Sequence, residues 1–140
     1  MDIEDCKEKG FIKETKPNTG RIFSLMGMAD SKEIAVQSAV ITEVTISAYV
    51  SLAYDSLRET LEALCILFGY KVTNHICIGE LVKTLIQTFP FHEFDRLRFI
   101  RNGINYYGEK VTFEQGKEII IKTFLLKKEI VAIIESKLHR

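Results

Sequence analysis

The chain has no tryptophan, only two prolines and three cysteines among its 140 residues, and no long uncharged run. Each scarcity closes off a class of protein. Cys6, Cys65 and Cys77 are odd in number and lack metal-ligand spacing, and two of them fall on apolar faces, so they read as reduced core thiols. The longest uncharged stretch, Val44 to Tyr54, is about half of the ~20 residues a membrane-spanning helix needs, so no membrane partner is expected. Gly27, Gly69 and Gly79 stand apart, which excludes a glycine-rich phosphate loop. His92, Glu93 and Asp95 lie close together without the spacing of a metal site, and no metal or cofactor is expected. The opening carries Asp2, Glu4 and Asp5 where a signal peptide would be basic, which points to a cytoplasmic protein.

Charge of either sign is not in excess either. Lys and Arg number 19, as do Asp and Glu. No net field draws polyanions to the whole surface, so any contact with nucleic acid must be local. Apolar residues at 46% and charged residues at 27% are those of a globular chain. At this length one core, and one domain over 1–140, is the natural reading.

Helical periodicity dominates what is present. Residues 2–14 suit one short helix, broken by Gly10 and by a turn near Pro17, Asn18 and Gly20. Ile22, Phe23, Leu25, Met26, Met28 and Ala29 begin a long helix that continues to Ile41 and is irregular near Gly27. Between 43 and 69, Ile46, Tyr49, Val50, Ala53, Leu57, Leu61, Leu64 and Phe68 recur three or four apart, with Gly69 as a C-terminal cap. Asp55, Arg58, Glu59 and Glu62 follow the same period on the other side, as a solvated face does. Asn74 or Thr73 caps a third helix through Ile86, and a fourth runs from about His92 to Asn105 until Gly108 breaks it. The last, about 113–138, is apolar on two adjoining faces and needs neighbours on both. The spacing predicts an all-α, antiparallel bundle of four to five helices with no strand pair.

One constellation stands out on the fourth helix. Arg98, Arg101 and Asn105 share a side opposite the apolar face, and Asn102, Tyr106 and Tyr107 crowd the same helix end. Arginine offers a fixed fork of donors that matches a phosphate, asparagine an amide that orients it, and tyrosine a hydroxyl with a stacking surface. On a regular helix Tyr106 points about 140° away from Arg101, so a shared site calls for a loosened helix end or for two chains. His75, at a helix start, reads as a capping or interface residue.

The stretch Arg101-Asn102-Gly103-Ile104-Asn105, followed by a ring residue, resembles the HEPN signature, an Arg and a polar residue with a His four to six positions on. Ala48-Tyr49 through Tyr54-Asp55-Ser56-Leu57-Arg58-Glu59, Ala63 and Gly69-Tyr70-Lys71 to Asn74-His75 is similar to the long helix and following turn of that family. The opening from Cys6 to Ile12, leading to Pro17, is similar to its N-terminal segment. The resemblance implies a helical homodimer whose two Arg motifs face each other across a cleft. Many members are metal-independent endoribonucleases of toxin-antitoxin or defence systems, and others only bind a nucleotide, RNA or a partner protein. It implies catalytic roles for Arg101, Asn102 and Tyr106, and substrate contacts for Arg98, Asn105 and Tyr107. This chain departs from the signature at the His, whose place is taken by Tyr106, Tyr107 and Gly108. A nucleotidyltransferase antitoxin accompanies some members, and the tyrosine they carry beyond the His corresponds to Gly108 here.

Overall fold

The computed structural model describes residues 1–138. Five long helices form an all-α bundle: α2 (Thr19–Ser38), α3 (Ile46–Leu67), α4 (His75–Leu85), α5 (Phe91–Tyr107) and α6 (Phe113–Leu138). A short α1 (Ile3–Glu8) precedes them, and β1 (Ile12–Glu14) pairs antiparallel with β2 (Tyr70–Val72). None of the described helices is long and apolar enough to cross a membrane.

Local chemistry sets the ends of these elements. Asn18 starts α2 by accepting the Arg21 amide on its side chain, and Asn74 starts α4 by accepting the Ile76 and Cys77 amides. Gly108 closes α5 in the left-handed region at φ +66°, where a Cβ would be strained. At α6 the requirement is space: a methyl group on Gly116 would overlap the Ile46 side chain, so α6 can lie close on α3 only with glycine there.

Helix α3 is the axis of the core. Ile46, Val50, Ala53, Tyr54, Leu57, Leu61 and Leu64 are all buried, and α2, α5 and α6 pack around them. Direction follows from which residues meet. Asn105 and Arg101 of α5 reach Ser51 and Asp55, so α5 runs antiparallel to α3. Gly116 lies at Ile46 and Lys137 lies over Phe68, so α6 runs parallel to α3.

Four expectations are corrected. Residues 2–14 are not one helix: α1 ends at Glu8, Gly10 turns the chain at φ +76°, and Ile12 then faces Val72 across a ladder too short to show alternation in sequence. Gly27 leaves α2 unbroken, because the buried Ile22, Leu25, Ala29 and Val36 hold both sides of it, and the helix ends at Ser38 rather than Ile41. Cys6 and Cys77 are joined in a disulfide that ties α1 to α4 with Cα atoms 5.7 Å apart, leaving Cys65 free and buried. Burial pushes the Cys65 thiol up to about 12, so it stays protonated and unreactive. The charged stripe of α3 is not a solvated face either: Glu59 is buried against Lys32, Arg58 pairs with Glu62, and Asp55 pairs with Arg101.

Candidate functional site

Arg101 lies on α5 one turn before Asn105, with α3 behind both. Its Nη2 donates to Asp55 Oδ1 at 3.1 Å and its Nη1 to the Tyr106 hydroxyl at 3.3 Å. The guanidinium carbon stands 5.8 Å from the Tyr54 ring centre and 5.7 Å from that of Tyr106, within cation–π range of both. The Asn105 carboxamide is satisfied when its oxygen accepts from Arg101 Nη2 and Nε at 3.2 Å each and its nitrogen donates to Ser51 Oγ at 2.8 Å. In that arrangement one Nη1 hydrogen of the five N–H groups has no partner among the described residues.

Three of the expected residues therefore meet: Arg101, Asn105 and Tyr106. The 140° offset between Arg101 and Tyr106 does not keep them apart, because α5 stays helical to Tyr107 and the long side chains close the gap over the helix surface. Arg98 is on the same flank but engages Asp95 through Nε and Nη2, both at 3.0 Å. Half-buried Asn102 makes no side-chain hydrogen bond among the described residues, and Tyr107, 79% exposed, stands outside the cluster. The flank carrying Arg98 and Arg101 faces α3 instead of open solvent: Arg101 keeps only 11% of its side chain exposed, and Asp55 21%.

Periodicity did not single out the α3 and α4 contributions. Ser51, Tyr54 and Asp55 complete the surroundings of Arg101, and Tyr54 also contacts His75, with ring centres 6.0 Å apart. Burial raises the Tyr54 phenol well above its usual range, although Arg98, Arg58 and Arg101 all act to lower it. Burial, then Arg58, Arg101 and Arg98, hold His75 down to about 4 against the pull of Asp55, leaving a neutral imidazole at pH 7. The phenol and imidazole thus share one field set by three arginines. Tyr54 Oη and Arg58 Nε are buried there without a partner among the described residues. The signal for Asp55 and Arg58 lay in the charged stripe of α3, whose facing neighbour cannot be read from spacing.

Fold and site together define an all-α bundle with an arginine–tyrosine–carboxylate cluster between two antiparallel helices. No family model, curated protein or solved structure matches the chain. Among the described residues no group of three or more His, Cys, Asp or Glu could hold a metal ion.

Proposed function

We propose that this chain is a HEPN-type homodimer that acts on RNA phosphodiesters at Arg101. The observation carrying the reading is that Arg101 is oriented by Asp55, Asn105 and Tyr106 while an Nη1 hydrogen stays uncommitted beside the exposed Tyr106 ring. Tyr106 is 68% exposed, and Phe99, seven positions earlier on the same helix, is also exposed. A fixed guanidinium suits the charge that builds on phosphate when an adjacent 2′-hydroxyl attacks it, and exposed rings suit unpaired bases or a second copy of the chain. Arg101 stabilises that charge, Tyr106 and Asn102 position the strand, and Arg98, Asn105 and Tyr107 extend the contact. A 2′-hydroxyl must also lose its proton. The signature's His position carries a phenol, a weaker proton acceptor than an imidazole, whereas His75 on the far edge of Tyr54 is neutral at pH 7.

A second reading is favoured by the Asp55 pair, which already balances the Arg101 charge: a catalytically silent HEPN-like module that binds RNA, a nucleotide or a partner protein. Incubating the protein with structured and unstructured RNA, with and without chelator, and reading the 3′ ends separates the two. Chelator-resistant ends bearing a cyclic phosphate, reduced at least 100-fold by Arg101→Ala, support the nuclease. Binding without cleavage selects the module, and cleavage unchanged by Arg101→Ala removes Arg101 from the chemistry.

A further inference from the structure

Across the small ladder, Lys13 of β1 lies directly opposite Lys71 of β2. Both are exposed, and like charges facing each other across antiparallel strands repel. Lys16, in the segment between β1 and α2, and Arg21, in the first turns of α2, join Lys71 around an open cleft of about 670 Å3. The rest of its lining is hydroxyl, amide and apolar, with Thr15, Asn18, Thr19 and Ile66 among it, and includes no carboxylate. This contrasts with the bundle proper, where Lys32, Lys127, Arg58, Arg98 and Arg101 each have a carboxylate partner. In a chain with equal acidic and basic residues, three cations around a concavity whose own lining holds no carboxylate make a local positive field that fits an anion.

The cleft is also connected to Arg101. Ile66 of its lining and Asp55, the partner of Arg101, are both on α3, about 16 Å apart along its axis at ~1.5 Å per residue. Arg58 and Glu62 lie between them as an ion pair, and Arg21 and Arg58 both act on the Glu62 carboxyl, so a line of charged side chains of both signs runs along α3 from Asp55 to the cleft. Exposed Tyr106 and Tyr107 at one end offer stacking faces that unpaired bases can use.

We infer that the cleft lined by Lys16, Arg21 and Lys71, with Lys13 beside it, binds the phosphates of a single-stranded RNA that follows α3 from Arg101. The inference rests on the RNA-directed reading of Arg101. Binding of a labelled trinucleotide and a labelled dodecanucleotide, followed by anisotropy over a salt series, tests it with Lys13→Gln/Lys16→Gln/Lys71→Gln, all exposed positions. The dodecanucleotide should bind the triple variant at least tenfold more weakly at low salt. Its slope of log K against log salt should flatten by about 2, at ~0.7 for each phosphate that a lysine no longer neutralises. The trinucleotide, held at Arg101, should change less than twofold. An unchanged slope for the long strand, with binding still abolished in Arg101→Ala, would overturn the path along α3 and leave the Arg101 reading intact. If the wild-type protein binds neither RNA, the Arg101 reading fails. Inorganic tripolyphosphate, followed by NMR at the Thr19, Arg21 and Lys71 amides, then judges the cleft alone: shifts absent from the triple variant reassign it to free polyphosphate, and no shifts remove it.

Discussion

Two flanks of α3 carry buried charge, and they use it differently. Toward α2 and α6 the cations are lysines: Lys127 Nζ donates to Asp30 Oδ1 at 2.8 Å and Glu33 Oε1 at 2.5 Å with only 3% of its side chain exposed, and Lys32 meets buried Glu59. Toward α4 and α5 they are arginines, each with one carboxylate: Arg58 with Glu62, Arg98 with Asp95, Arg101 with Asp55. At Lys127 two carboxylates use two of the three ammonium protons and outnumber its charge, whereas one carboxylate leaves a guanidinium with donors to spare. The lysine flank is closed upon itself and braces helices. The arginine flank keeps Arg58 Nε and Tyr54 Oη unpaired and retains capacity for a ligand.

Removing one cation from each flank is the sharpest way to break this contrast. Arg101→Ala should cost at least 100-fold in RNA cleavage, about 2.7 kcal/mol in transition-state terms, because one fixed donor set to a developing anion is worth that much. Its stability should fall by only about 1 kcal/mol, since Asp55 remains partly solvated. Lys127→Ala should do the reverse, lowering unfolding stability by about 2–3 kcal/mol in urea titration and leaving RNA binding within twofold. The loss combines a cavity under a buried stem with two carboxylates deprived of their partner. Lys127→Met, which refills the space, should recover much of it; a methionine variant as unstable as the alanine one would mean that charge alone holds α6 to α2.

An acid titration probes the arginine flank without touching an arginine. His75 has a folded pKa near 4 against 6.5 for the free side chain, so between those values the unfolded chain takes up a proton that the folded protein refuses. The contribution is level above 6.5, and stability is lost as pH falls from 6.5 toward 4. Discounted for its half-buried setting, the loss between pH 7 and pH 5 is about 1 kcal/mol. His75→Gln should remove that part of the slope in urea midpoints, and an unchanged slope would mean that neither burial nor Arg58, Arg101 and Arg98 hold His75 down.

How much of this was legible depended on whether a feature repeats locally. Helices α3 to α6 show themselves through apolar residues three and four apart, and their ends lie close to Gly69, Pro90 and Gly108, where backbone chemistry allows little else. Strands of three residues, with only Ile12 and Val72 facing inward, present no alternation to detect. The Cys6–Cys77 bond and the Lys127 brace join residues far apart in sequence, and nothing near any of them marks a partner. Arg101 was visible because it lies in a dense polar run. Asp55 was not, because a charged stripe has one appearance whether solvent or a neighbouring helix lies against it.

Tyr106 offers the smallest and most discriminating change. Its hydroxyl accepts from Arg101 Nη1 at 3.3 Å, near the long end for such a bond, while its ring lies 5.7 Å from the guanidinium carbon. Tyr106→Phe keeps the ring and removes the hydroxyl, so RNA affinity and cleavage should fall only about threefold, ~0.6 kcal/mol, in line with one exposed hydrogen bond. Tyr106→Ala also removes the stacking face and should cost about tenfold or more in binding of unpaired RNA. Near-equal effects of the two would assign the work to the hydroxyl and bring Tyr106 into the proton chemistry. A larger alanine effect keeps Tyr106 as a platform beside Arg101, a solvent-facing ring within cation–π range of a guanidinium.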